Sequence, residues 1–331
     1  MKSSVKIQLQ YDLLTGEFIH CDLKEGSYSD ASYLETLQST IRKQDLILKD
    51  LGYLKALDLK IIDEKKAFYI SRAKVITILY KKEEVTGLGK KGNLVKREWY
   101  LPINIKELTE PLAGGETIEL NDIYIGNTTV NRTKCRIILT KLTEECKLKK
   151  EIRNKDSNNR SSNNFIEENK WWLGINCYIT NVPEEVLPKE KIYEIYSLRW
   201  QIEIMFKIWK SLFKIHDVKK AGLERIKCFI YGRLIMLLLT SSIVFTAREI
   251  NYSKADEEIS EIKSFGVVKQ YFNELYKNIF KSKMALFLLF HRIANSIKLY
   301  GRKSKKKGKK TAISILEGIK LSKTELEKLA G

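Results

Sequence analysis

Apolar and polar residues alternate from Val5 to Asp12, with Val5, Ile7, Leu9 and Tyr11 set against Lys6, Gln8, Gln10 and Asp12. A period of two buries one face of a strand. Leu14-Thr15-Gly16 supplies a turn, and residues 17–23 read as the antiparallel partner, so a hairpin is predicted to open the chain. Ser29 or Asp30 is placed to cap a helix that carries Leu34, Leu37 and Ile41 on one face. The short apolar run Leu46-Ile47-Leu48 ends at Lys49-Asp50, and a helix follows through Leu57, Ile61 and Ile62. Asp50 therefore stands where a buried strand gives way to a loop. Residues 67–72 form a further predicted strand.

From about residue 75 the pattern changes. Strand-like pieces at 75–80, 97–103, 117–125 and 136–142 are separated by polar turns such as Thr86-Gly87-Leu88-Gly89, which predicts a β-rich insertion bounded by the loop-like run NKDSNNRSSNN. A strand over 171–180 resumes the core, and beyond Pro183 and Pro188 the chain is helix-forming to about Tyr300. No internal repeat is present. The apolar stretch 228–247 is split by Arg233, leaving fourteen uncharged residues from Leu234 to Ala247. A membrane span needs roughly 20, so the prediction is a buried helix and no membrane partner.

Composition sharpens this picture in two ways. Lys and Arg number 60 against 41 Asp and Glu, a formal charge of +19 on a chain that is 44% hydrophobic, which describes a folded protein with a polyanionic partner. The five cysteines include no C-x-x-C pair and the three histidines are scattered, so a disulfide framework, a structural zinc site and a histidine triad are excluded as leading readings. The N-terminus alternates where a signal peptide would be continuously apolar, and a cytoplasmic location is expected. Seven cations in the ten residues 301–310 read as a solvated run or a non-specific phosphate-binding segment.

Candidate chemistry is concentrated in YSLRWQIEIMFKIWK, residues 196–210. Advancing about 100° per residue brings Tyr196, Arg199, Glu203, Lys207 and Lys210 onto one narrow stripe of a helix. Leu198, Trp200, Ile202, Ile204, Met205, Ile208 and Trp209 occupy the remaining circumference and are expected to be buried. Ion pairs along the helix account for the stripe in structural terms. In chemical terms, a carboxylate flanked by cations and a phenol suits a metal-bound phosphodiester, with Glu203 on the metal and the cations on phosphate oxygens.

Tyr196, Arg199, Glu203 and Lys210 resemble the Y-x2-R-x3-E-x6-K signature of insertion-sequence family four transposases, members of the DDE superfamily. The segments KIQLQYDLLTGEF, LKDLGYL and AFYISR resemble that family's strand and second-aspartate regions. The resemblance implies an α/β fold: a ribonuclease-H-like core, here lacking its first strand, with a β-rich insertion and a helical C-terminal region. On that scheme residues 1–74 and 171–215 are the two parts of the core, 75–170 the insertion and 216–331 the helical region. It implies a DNA transposase that cleaves and transfers strands with Mg²⁺ (or Mn²⁺). Asp50 and Glu203 are then the catalytic metal ligands, and Tyr196, Arg199 and Lys210 the holders of DNA phosphates.

Lys207 joins these as a cation of the same stripe. Arg72 resembles a DNA-contacting position, and Trp172, or its neighbour Trp171, offers a ring to a displaced base or a core aromatic. The implied partners are double-stranded DNA, as element ends and target, and a second transposase chain, as a homodimer or a complex with the full-length protein. The family's first catalytic aspartate lies on a strand ahead of the hairpin. No such strand is present in this sequence, and Asp12 corresponds to the YDLL stretch, so the expectation is a truncated chain inactive on its own. A DNA-binding remnant that interferes with full-length transposase is the alternative.

Overall fold

The computed structural model describes residues 5–28, 39–88, 94–158, 167–219, 221–255, 258–304 and 310–317. The helix expected after Ser29 and the centre of the basic run 301–310 lie outside these residues. The chain divides into two compact units, one of residues 28–199 and 316–331, the other of residues 1–27 and 200–315.

The first unit is built on a seven-stranded sheet. Its elements are β3 (Leu46–Lys49), α1 (Ala56–Glu64), β4 (Phe68–Arg72), β5 (Leu79–Leu88), β6 (Leu94–Pro102), α2 (Ile105–Thr109), β7 (Thr117–Ile125), β8 (Thr133–Lys141), α3 (Glu144–Asn158), β9 (Ile175–Thr180) and α4 (Lys189–Ser197). The strand order is β3-β4-β9-β8-β7-β5-β6, with β3 and β4 parallel and every other pair antiparallel. Strands β4 and β9 are direct neighbours, so the chain between them is an excursion that extends the same sheet by four strands.

Alternation along β9 separates the two faces of the sheet. Ile175, Cys177 and Ile179 join Leu59 and Ile62 of α1, Tyr69, Ile137 and Leu139 in one core. On the other face, α4 lies along β4 and β7 with Ile192 and Ile195 fully buried. Strand β8 is buried on both faces, as a central strand should be, and carries the apolar run Ile137-Ile138-Leu139. A buried Arg136–Glu119 pair at 2.5 Å spans β8 and β7, and Arg136 also donates to the carbonyls of Val182 and Leu187 ahead of α4. These contacts set the start of α4 against the sheet.

The predicted hairpin is present as β1 (Val5–Tyr11) and β2 (Phe18–Glu25), in the second unit. Asp12 Oδ1 accepts from the Leu14 and Thr15 backbone N–H groups at 2.7 and 3.3 Å, and Gly16 takes φ +76°, where L side chains are strained. The helices are α5 (Trp200–Ser211), α6 (Leu223–Ala255), α7 (Glu261–Gln270), α8 (Phe272–Asn278), α9 (Lys283–Tyr300) and α10 (Ala312–Glu317). Trp209, Leu237, Val244, Phe265, Val268, Ile293 and Ile297 form the core, against which Ile7, Leu9, Tyr11, Phe18 and Leu23 of the hairpin pack.

Four expectations need correction. The segment before β9 is a 3-10 turn over Glu167–Gly174, so the strand begins at Ile175 and not at residue 171. Thr86-Gly87-Leu88 continues β5 and is no turn. Residues 144–158 form α3, a helix too polar for periodicity to reveal. Helix α6 runs for 33 residues and is buried along one face only, leaving Phe229, Ile235, Met236, Leu238 and Leu239 exposed. By length and composition, Glu224–Ser253 is apolar enough to cross a membrane. Two of its three arginines serve the fold: Arg233 donates to the carbonyls of Lys214 and Asp217, and Arg248 to those of Leu13 and Leu14.

Candidate nucleic-acid interface

The stripe predicted on one continuous helix is divided between two. Helix α4 ends at Ser197, where the Leu198 and Arg199 N–H groups turn back to the carbonyls of Ile195 and Tyr196 at 3.0 Å, and α5 starts at Trp200. No Pro or Gly marks this break. Its cause is tertiary: Tyr196 is buried, donates its hydroxyl to the Lys49 carbonyl at 3.2 Å and lays its ring 5.2 Å from that of Tyr178 on β9. The end of α4 is thereby anchored at the C-terminal end of β3.

On the sheet unit, this anchor brings three of the predicted residues together. Asp50 immediately follows β3, and Arg199 reaches it with Nη1 3.5 Å from Oδ1. The Asp50 side chain is 52% exposed. An ion pair so open to water contributes at most about 1 kcal/mol, so a ligand can replace either partner at little cost. Burial pushes the Tyr196 phenol up to about 12, against the opposing pull of the Arg199 charge. Tyr196 is therefore a neutral hydrogen-bonding group at physiological pH.

Arg72 closes β4 and pairs in register with Tyr178, on the face that carries Tyr196. Its Nε is buried with no hydrogen-bond partner among the described residues.

Beneath Asp50 lies a feature the sequence did not reveal. Lys49 and Asp58 form a fully buried ion pair that ties β3 to α1. Burial drives the Lys49 amine down and the Asp58 carboxyl up, each against the pull of its partner. Local pattern carries no signal for such a pair, whose partners stand nine positions apart.

On the helical unit, Glu203, Phe206, Lys207, Lys210 and Ser211 line a single groove along α5. Glu203 is in the first turn and Lys210 in the last, the placement the helix dipole favours for each sign. Lys207 and Lys210 are exposed, while Met205, Ile208 and Trp209 are buried as expected. Trp200 is 58% exposed, against the expectation that both tryptophans would be interior.

Trp172 belongs to the sheet core with 8% exposure, its ring edge-on to that of Trp171 at 5.4 Å, so the core role is the one its position supports. Asp12 is committed to its turn. Among the described residues no group of three His, Cys, Asp or Glu side chains lies together in metal-binding geometry. Asp50 and Glu203 suit a hard divalent cation by donor type, since Mg²⁺ is commonly held by one or two carboxylates plus substrate phosphate.

Residues 2–239 match the family model described as a transposase DDE domain. The chain is 45% identical over 328 residues to the transposase for insertion sequence element IS1151 of Clostridium perfringens, covering 99% of this chain and 69% of that protein. It is 35% identical over 314 residues to the transposase for IS231C of Bacillus thuringiensis subsp. berliner, covering 95% of this chain and 65% of the relative. The chain thus spans about two thirds of the length of these relatives, and it belongs to the family of insertion-sequence transposases that carry the DDE domain.

Proposed function

We propose that the chain binds duplex DNA at the ends of a mobile element and takes part in metal-dependent cleavage and transfer of its strands. The observation that carries this reading is the cluster of Asp50, Arg199 and Tyr196 at the end of β3, built by the break between α4 and α5. A carboxylate, a guanidinium and a neutral phenol held within reach of one another match what a phosphodiester and its counter-ion require.

In this reading the carboxylates of Asp50 and of Glu203 each serve as a ligand for a divalent cation, Mg²⁺ or Mn²⁺. When bound, the ion lowers the pKa of water and stabilises charge on the phosphate oxygens. Arg199 exchanges Asp50 for a phosphate oxygen, giving a charge-assisted hydrogen bond of planar, directional character. Tyr196, kept protonated by burial, turns its one hydroxyl proton from the Lys49 carbonyl to the same phosphate when DNA binds. Lys210 and Lys207 present ammonium groups along the α5 groove to the DNA backbone, and Arg72 adds a guanidinium on the sheet face.

The reading is tested with duplex DNA containing an element end, in the presence of Mg²⁺. Arg199→Ala and Lys210→Ala are expected to weaken binding while leaving the thermal melt little changed. Glu203→Gln is expected to preserve binding and abolish any nicking seen with the unaltered chain. Affinity unchanged in both cation variants overturns the reading. DNA binding without nicking by the unaltered chain would instead support the role of a binding protein within transposase complexes.

A further inference from the structure

The sheet face that carries Tyr196 holds a second cation that the nucleic-acid reading does not use. Helix α3 projects Lys150 toward β9, where its Nζ donates to the Ile175 carbonyl at 2.9 Å and to Asn176 Oδ1 at 3.4 Å. Asn176 and Tyr178 are two residues apart on β9 and share a face, and Tyr178 is the register partner of Arg72. Lys150 and Arg72 therefore lie on one side of the sheet, close enough for the two charges to act on each other.

Both are partly buried, and neither forms an ion pair with a carboxylate among the described residues. Burial, and after it the Arg72 guanidinium, lowers the Lys150 amine to about 8. Arg72 Nε is buried and has no partner among the described residues. An ammonium has three donors and Lys150 uses two, so both side chains have hydrogen-bonding capacity directed at no protein group among the described residues. Two cations brought together with donors to spare destabilise a fold unless an anion joins them.

We propose that Arg72 and Lys150 form a phosphodiester subsite on this face of the sheet, which takes a backbone phosphate of the bound DNA beyond the group held by Arg199 and Tyr196. The proposal rests on the nucleic-acid reading above and deepens it. It assigns the helix α3, inside the β-rich excursion between β4 and β9, to DNA contact.

The test begins with the unaltered full chain, whose lysines are reductively methylated with and without saturating duplex DNA and quantified by mass spectrometry. Lys150 is expected to be protected by DNA, whereas Lys149, which pairs with Glu145 on the solvent side of the same helix, stays reactive. Lys150→Gln and Arg72→Gln are then expected to reduce the slope of log affinity against log salt by about one each, the loss of a single phosphate contact. Lys149→Gln should leave the slope as it is. Undiminished Lys150 reactivity on DNA-saturated protein, or a Lys150→Gln slope equal to that of the unaltered chain, overturns the subsite alone. An unaltered chain that binds no duplex overturns the nucleic-acid reading and the subsite with it.

Discussion

Tyr196 does two things at once: its ring fills space against Tyr178, and its hydroxyl holds the end of α4 to the Lys49 carbonyl. Tyr196→Phe removes the donor to the buried Lys49 carbonyl and the acceptor for Arg199, and should cost about 1 kcal/mol or more, read in denaturant unfolding. The same phenol is raised from 10.0 to about 12 by burial, so the folded state keeps its proton where the unfolded chain has lost it. The stability this contributes is complete below pH 10 and is lost as pH rises toward 12. Tyr196→Phe should flatten the alkaline decline over that interval, and an unchanged decline would contradict the assignment. Lys49 and Asp58 make a second residue-scale case. Lys49→Met leaves an unpaired buried carboxyl and should cost about 3 kcal/mol or more. Lys49→Met combined with Asp58→Leu should cost less than the sum of the two single changes, which a double-mutant cycle measures directly.

At the scale of elements, the β1–β2 turn shows how one backbone angle constrains a unit. Gly16 combines φ +76° with a neighbour that leaves no room, since an added Cβ would fall 2.3 Å from the Phe245 ring. Ser241 also donates to the Gly16 carbonyl at 2.8 Å, so α6 is seated on this turn. Gly16→Ala should therefore destabilise the helical unit by about 2 kcal/mol or more, visible as a lowered melting temperature. A melt within a degree of the unaltered protein would show that the turn relaxes. The break between α4 and α5 is the other decisive element boundary. It places Tyr196 and Arg199 by the packing of α4 on the sheet and Glu203, Lys207 and Lys210 along α5, where a single helix would have given all five one common orientation.

For the whole molecule, the two compact units predict that thermal unfolding need not be a single two-state event. Calorimetry of the pair of variants should show Tyr196→Phe shifting one part of the transition and Gly16→Ala the other; one transition shifted equally by both would show the units to be fully coupled. Charge acts on the same scale. With a formal charge of +19, association with duplex DNA should weaken by orders of magnitude between about 50 and 200 mM salt, because neutralising several phosphates releases their counter-ions. Affinity insensitive to salt in a filter or anisotropy titration would remove the phosphate backbone as the main partner.

What the sequence by itself determined follows from short-range periodicity: the hairpin from Val5, the strand that delivers Asp50, the helix behind it, β7 from Thr117 to Ile125 and the apolar faces of α5. Alternation and helical spacing report which side of an element is buried. Only the tertiary structure decided what depends on partners distant in sequence. It alone turned the continuous stripe at 196–210 into two helices, because the Tyr196 hydroxyl finds its acceptor on Lys49. It alone buried Trp172 while exposing Trp200, paired Lys49 with Asp58, and joined four strands of the β-rich region to the sheet of β3, β4 and β9. Local pattern measures how apolar a position is, whereas the energy of a buried charge, a ring or a strand edge is set by whatever the rest of the fold brings against it.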